Sequence, residues 1–150
     1  MFVKNGVEYS FHHMGIPTSD PKPGERYSAM FGMHTADSDC RLLRIQWHRF
    51  EESSSLDPMI RTVPHVALKV SDLDRAVEGC VLLLAPYEPV PGYRVAIIRD
   101  GDVPVELVQT SLSDEELWER AETGSILYAD DSRQARPDLS AAAAKAAAAP

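Results

Sequence analysis

The chain has 150 residues, of which 44% are hydrophobic, and a formal net charge of −8. This length allows one domain with a sizeable core, and the negative charge, without any basic run, argues against nucleic acid or an anionic membrane as a partner. The longest apolar stretch, Cys80–Pro86, is too short to span a bilayer, and Met1 is not followed by a signal-peptide core. With two cysteines far apart, Cys40 and Cys80, we expect reduced thiols in a cytoplasmic protein.

In chain order, the first half is expected to contain a strand, a weak helix, a polar turn, a second strand and a serine-rich loop, over residues 11–17, 24–33, 34–39, 41–50 and 51–58. The first strand places His13 and Gly15 on one face and His12 on the other. In the second strand, Gln46 and His48 share a face. The serine-rich loop is the expected joint between the two halves.

The second half is expected to form a strand over 63–70, a short helix, and three further strands over 80–85, 94–99 and 103–109. Ser71 and Asp74 have capping-box spacing for the helix, which Gly79 is expected to end. A second capping box, Ser113 with Glu116, predicts another helix after residue 110, and the alanine-rich residues 140–150 are a low-complexity tail.

Two segments repeat one pattern, HMGIPTSD over 13–20 and HVALKVSD over 65–72. Each predicts a strand that begins with a histidine and leads into a helix start. One histidine before an apolar run carries little information, but two in equivalent places of an internal repeat indicate two ligands brought together by pseudo-symmetry. No such role is expected for His12, which faces the other way, or for His34 in the polar turn.

Placing the first strands of the two halves side by side puts His13 and His65 at equivalent positions on one sheet face. The last strand of the second half adds Glu106, whose carboxylate would be costly inside an apolar strand without a partner. The last strand of the first half offers Gln46 or His48. Two imidazoles, a carboxylate and a carboxamide would make a site for a divalent metal that leaves positions for water or substrate.

A family resemblance rests on HMGIP at 13–17, TVPHVALKV at 62–70, SDLD at 71–74 and VPVELVQ at 103–109. On these motifs the chain resembles, over roughly residues 10 to 110, the vicinal oxygen chelate superfamily, the group of glyoxalase I, methylmalonyl-CoA epimerase, extradiol dioxygenases and bleomycin-resistance proteins. The resemblance implies an α+β fold of paired βαβββ modules that form a cupped, mostly antiparallel sheet around a metal site. Module one would cover about 10–52, shortened and without a full strand hairpin, and module two about 62–110, within a domain over 1–110 that is followed by an extension over 111–139 and the tail.

The resemblance also implies site residues and chemistry. Family ligands lie at the start of each module's first strand and on its last strand, which gives His13, Gln46, His65 and Glu106, with His48 as the competitor of Gln46. One divalent ion is expected: zinc, nickel, cobalt, iron or manganese. The leading hypothesis is a glyoxalase-like isomerase or lyase that acts on a small oxygenated substrate through a metal-stabilised enediolate or enolate, with Glu106 or His48 as the base.

Two alternative functions stay open. With iron(II), His13, His65 and Glu106 would form the two-His-one-carboxylate set of an extradiol-type dioxygenase. Without a metal, the cup would serve a drug-sequestering binding protein of the bleomycin-resistance kind. Members of the superfamily often complete their sites by dimerisation, so the expected partners are a small-molecule substrate and a second copy of the chain.

Overall fold

A computed structural model describes residues 1–38, 42–113 and 116. Within these residues, strands and two short helices follow one another along the chain: β1 (Phe2–Lys4), β2 (Val7–Pro17), β3 (Arg26–Ser28), β4 (Met33–Asp37), β5 (Ile45–Phe50), α1 (Pro58–Thr62), β6 (His65–Val70), α2 (Leu73–Ala76), β7 (Val81–Val90), β8 (Tyr93–Asp100) and β9 (Val103–Thr110). Neither of the described helices is long and apolar enough to cross a membrane.

The strands form one curled, mixed sheet in which β1 pairs with the start of β2 and the others run in the order β3-β4-β5-β2-β6-β9-β8-β7. β2 and β6, which carry the two copies of the repeat, are antiparallel neighbours at the centre. Each is flanked on its outer side by the last strand of its own module, β5 beside β2 and β9 beside β6, and both of these pairs are parallel. The two halves therefore have matching topology, which confirms the predicted fold of paired modules.

The first module lacks the predicted helix and contains a strand hairpin in its place. The weak helix predicted over 24–33 is wrong, because these residues form β3 and the turn before β4, and most of the predicted polar turn belongs to β4. Since β3 and β4 make a short antiparallel hairpin, the hairpin is present and the helix is absent. Gly24 and Gly32 adopt positive φ angles of 73° and 55°, a conformation that interrupts a right-handed helix.

The second module matches its prediction closely, with one change at the helix. Asp72, not Ser71, caps α2, because its Oδ1 accepts a hydrogen bond from the backbone N–H of Arg75 at 3.0 Å. The Ser71 hydroxyl instead accepts one from the backbone N–H of Glu8 at 3.0 Å. This hydrogen bond links the residues just before α2 with the central strand β2.

Helix α1 lies in and just beyond the stretch predicted as a loop. Asp57 caps it, accepting from the backbone N–H of Met59 at 2.8 Å, and Pro58 occupies the first helical position, where its missing N–H costs nothing. The predicted capping box of Ser113 and Glu116 is present, with reciprocal bonds of 2.9 and 3.2 Å. The remainder of that predicted helix and the alanine-rich tail lie outside the described residues.

Apolar residues pack on both faces of the sheet. On one face α2 covers a cluster of buried side chains, Val7, Val70, Leu73, Ala76, Ala96 and Leu107. On the other face, α1 and the loop before it pack against β8 in a second cluster, Phe31, Leu56, Ile60 and Ile97. Because Ile97 pairs with Glu106 across β8 and β9, the second cluster lies on the same face as Glu106 and borders the candidate site.

Candidate metal centre

The register of the central strands brings three predicted ligands to one face of the sheet. His13 on β2 and Glu106 on β9 both pair with Ala67 of β6, which lies between them. Directly paired residues share a face, and His65, two residues before Ala67, points to the same side. The alternation seen in the sequence is therefore sufficient to make these three side chains converge.

Their donor atoms lie close together in a nearly closed space. The Nε2 atom of His65 is 3.2 Å and that of His13 is 3.9 Å from Oε2 of Glu106. One ligand atom from each of the three residues lies within 4.8 Å of the others. The side chains are 3% (His13), 5% (His65) and 13% (Glu106) exposed, so water has little access to them.

Gly15 makes room for the His65 ring. The two residues pair across β2 and β6, and a Cβ atom on Gly15 would overlap the imidazole of His65. The ring therefore lies over the backbone of β2, where it meets the ring of His13 edge-on at a centroid distance of 5.8 Å. A side chain at position 15 would force His65 away from the other donors.

His48 adjoins the three donors from the first module. Its ring is buried and stacks on that of His65, with the centroids 5.4 Å apart and the planes 27° from parallel. Its Nδ1 atom lies 3.2 Å from the hydroxyl of Thr35 on β4. The Nε2 atoms of His13, His48 and His65 are buried without a hydrogen-bond partner among the described residues, a state that is costly unless something else satisfies them.

Gln46, the other predicted fourth ligand, is placed differently. It pairs with Gly15 on β2, as the predicted face requires, but its carboxamide nitrogen donates a hydrogen bond to Oδ1 of Asp37 at 3.0 Å, in an exposed contact. Of the two alternatives, the structure brings His48 against the cluster. The ligand roles themselves stay predictions.

Burial sets the protonation states of the site. Desolvation is the main cause that lowers the pKa of His13 to about 4 and that of His48 to about 3. Burial alone would raise the pKa of Glu106, but the nearby imidazoles of His13 and His65 outweigh it, and the value falls to about 2. At neutral pH Glu106 is therefore an anionic carboxylate and His13 and His48 are neutral imidazoles, the forms in which such groups bind metals.

The arrangement fits a divalent ion. Nitrogen and oxygen ligands lie about 2.0–2.2 Å from such an ion, so two donors of one ion are at most about 4.4 Å apart. The distances of 3.2 and 3.9 Å from the two histidine nitrogens to the Glu106 oxygen satisfy that limit. An ion would also bind the Nε2 atoms of His13 and His65, which otherwise have no hydrogen-bond partner among the described residues. His13, His65 and Glu106 could therefore hold a divalent metal.

A cavity of about 490 Å³ lies elsewhere on the sheet. Its lining includes Lys69 and Ser71, at the end of β6 far from His65, and Arg94 at the start of β8. His13, His48, His65 and Glu106 are not among its lining residues. On the face that carries the donors, the Phe31 cluster packs beside them.

Sequence reasoning missed three contributors to the site and placed one histidine wrongly. Gly15 and Thr35 act through a cross-strand overlap and a hydrogen bond, which only the strand register reveals. His12 contacts His13 although strand alternation predicts opposite faces. His34, predicted to be solvated in a turn, lies in β4 with its side chain 13% exposed, between the carboxylates of Glu25 and Glu51.

Comparisons with known proteins bear on the fold. No protein-family model matches the chain, and no curated protein matches it either. A hypothetical protein, BH1468 from Bacillus halodurans C-125, is similar in structure with a TM-score of 0.54 at 15% identity, over 70% of this chain and 96% of that one. Methylmalonyl-CoA epimerase from Mycobacterium tuberculosis gives a TM-score of 0.49 at 22% identity, over 68% of this chain and 88% of that one.

At these identities the similarity concerns the fold and not the activity. The sheet topology confirms the predicted fold of paired modules, and the similarity to BH1468 concerns that fold alone. What the chain does must be argued from its own site residues.

Proposed function

We propose that this chain is a metal-dependent enzyme in which His13, His65 and Glu106 hold one divalent ion and a small oxygenated substrate binds beside it. The observation that supports this most is the convergence of two buried, unsatisfied imidazole nitrogens on one anionic carboxylate. Most buried polar atoms have a partner, so two such nitrogens beside one carboxylate favour a bound ion that would satisfy them. Three protein ligands also leave coordination positions for a substrate, as catalytic sites do.

The proposed reaction is an isomerisation or lyase step that starts with removal of a proton next to a carbonyl group. A divalent ion would supply Lewis-acid polarisation of the carbonyl oxygen, which acidifies that proton. The surrounding residues contribute charge and desolvation: Glu106 supplies the negative charge that offsets the cation, and the nearly closed site limits the access of water. In such surroundings electrostatic interactions are stronger than in water.

His48 is the better placed of the two candidate bases. Its Nε2 is buried without a hydrogen-bond partner among the described residues, and Thr35 fixes the other ring nitrogen. A pKa of about 3 makes it a weak base at neutral pH, so it can accept a proton only from a substrate that the metal has acidified. Glu106, the other candidate, would have to release the metal to act as a base.

A ring-cleaving dioxygenase is the second candidate function. It is favoured by the identity of the three converging donors, since two histidines and one carboxylate are the set that binds iron(II) in oxygenases that do not use haem. Consumption of oxygen by the iron-loaded protein, absent with zinc or nickel, would select this function over the first.

The experiment that tests the proposal is the metal content of protein purified without chelator, compared with His65→Ala and Glu106→Ala variants. We expect about one equivalent of a transition metal in the parent and a large loss in both variants. Gln46→Ala is the matched control, because its carboxamide contacts Asp37 and should not alter the metal content. A parent that takes up no metal even after reconstitution would overturn the enzyme proposal and favour a metal-free binding protein.

We also propose that the protein forms a homodimer through the edge strand β7. Val81 and Leu82 on this edge are 64% and 44% exposed. The strand carries no charge from Val81 to Tyr87 in a chain with a net charge of −8, so two copies could pair there without facing like charges. Light scattering should give a dimer mass that Leu82→Lys reduces to that of a monomer; a monomeric parent would contradict this.

A further inference from the structure

His12 and His13 are consecutive on β2, yet their side chains contact each other. Their Nδ1 atoms lie 2.8 Å apart, and the rings meet at a centroid distance of 5.1 Å and an angle of 70°. Consecutive residues of a regular strand point to opposite faces, so this contact needs a break in the strand. The pairing of β2 with β6 supplies it.

The break is a β-bulge at His12. Phe11 pairs with Leu68 and His13 pairs with Ala67, so two steps along β2 correspond to one step along β6, and His12 is the extra residue. A bulge bends the strand locally and redirects the extra side chain. Here it turns His12 towards the Nδ1 side of the His13 ring.

Metal binding by His13 fixes the direction of the hydrogen bond between the two rings. A neutral imidazole carries one proton, and the nitrogen that binds a metal must be the one without it. Since Nε2 of His13 faces Glu106, its proton must be on Nδ1, which then donates to Nδ1 of His12. The reverse direction would put a proton on Nε2 of His13, 3.9 Å from the carboxylate oxygen, too far for a hydrogen bond and in the way of a metal.

We propose that His12 is a positioning residue of the metal centre, which accepts the Nδ1 proton of His13 and keeps the Nε2 lone pair directed at Glu106. The inference deepens the proposed function, because it assigns a residue that supports the same ion. Histidines that bind metals generally donate their other N–H to an acceptor that fixes the ring, and losing that acceptor weakens metal binding about 10- to 100-fold. In this chain the acceptor is a second imidazole from the same strand.

Two substitutions separate this role from simple packing. His12→Phe keeps an aromatic ring of similar size beside Tyr93, whose ring centroid is 6.2 Å away, but removes the acceptor. His12→Asn is smaller but places a carbonyl oxygen near the position of Nδ1. If His12 only fills space, Phe should be the better replacement; if it accepts a hydrogen bond, Asn should be.

The first measurement uses metal-free protein with ¹⁵N-labelled histidine. Long-range ¹H–¹⁵N correlation spectra identify which ring nitrogen carries the proton, and we expect Nδ1–H for His13 and Nε2–H for His12. In His12→Phe, His13 should become a mixture of the two forms. A parent spectrum with the His13 proton on Nε2 would overturn the inference, and this outcome does not depend on whether a metal binds.

The second measurement is titration with Co²⁺ in competition with a chelator. We expect His12→Phe to weaken cobalt binding about 10- to 100-fold and His12→Asn to recover most of the loss. His34→Phe removes a mostly buried imidazole that lies outside the site, and this variant should bind cobalt as the parent does. Equal affinity in His12→Phe and the parent would overturn the positioning role, whereas a parent that binds no cobalt would overturn the proposed function.

Discussion

Gly15 has no side chain, and this allows the His65 ring to lie against the backbone of β2. We predict that Gly15→Ala will weaken Co²⁺ binding about as much as His65→Ala, because the added methyl group would overlap the imidazole. Titration of both single variants and of the double variant forms a thermodynamic cycle. If the methyl group acts through His65, it should cost almost nothing once His65 is alanine; additive losses would contradict this.

The buried histidines also predict how stability depends on pH. The pKa values of His13 and His48 in the folded chain, about 4 and about 3, are lower than the value of about 6.5 in an unfolded chain. Below pH 6.5 the unfolded chain therefore takes up protons that the folded chain does not, and the free energy of unfolding of the metal-free protein should fall by a few kcal/mol as the pH falls from 6.5 to 4. Urea unfolding at pH 7.5 and 5 measures this.

A matched variant tests whether the buried histidines cause the fall in stability at low pH. His48→Phe should show a smaller fall in stability over the same range than the parent, because one of the two buried imidazoles is gone. A parent whose stability is unchanged between pH 7.5 and pH 5 would mean that these imidazoles are not buried as described.

The three converging donors could be predicted because strand alternation and the internal repeat both assign them to one face. The choice between Gln46 and His48 could not, because both residues occupy the same face of β5. It depends on Asp37, which holds the carboxamide of Gln46. Asp37 lies in β4, which the sequence suggested to be a turn, so the deciding contact could not be foreseen.

Among the elements, β3 and β4 show why the first module was harder to predict than the second. Their strands are three and five residues long, too short for alternation to be distinguished from helical spacing. β8 and β9 have eight residues each and are joined by a tight turn, so the sequence predicts both strands. The bulge at His12 was also beyond prediction, since a bulge depends on the partner strand.

Helix α1 gives a prediction at the scale of one element. Asp57→Ala should lower the free energy of unfolding by about 0.5–2 kcal/mol, because it removes the cap from the N-terminus of the helix. The buried Ile60 of this helix belongs to the cluster that borders the site, but no ligand lies on α1. Denaturant unfolding should therefore change while cobalt affinity stays within about twofold; a large loss of affinity would mean that α1 shapes the donors.

The whole molecule should be stabilised by metal, because the proposed ligands come from both modules. At a free Co²⁺ concentration about 100 times its Kd, binding adds about 2.7 kcal/mol, which for a domain of this size raises the Tm by roughly 5 to 10 °C. Thermal unfolding with and without cobalt measures the shift. Glu106→Ala should lose most of it and His34→Phe should keep it; an equal shift in Glu106→Ala would place the bound ion elsewhere.

The junction between β2 and β6 divides the proposed ligands between the two modules. The first supplies His13 and His48 and the second supplies His65 and Glu106, so neither contains the three donors that converge. A chain cut in the connection between β5 and α1 would give two fragments, one with His13 and the other with His65 and Glu106. The intact site would return only when the fragments reassociate, so cobalt binding would report their complementation directly.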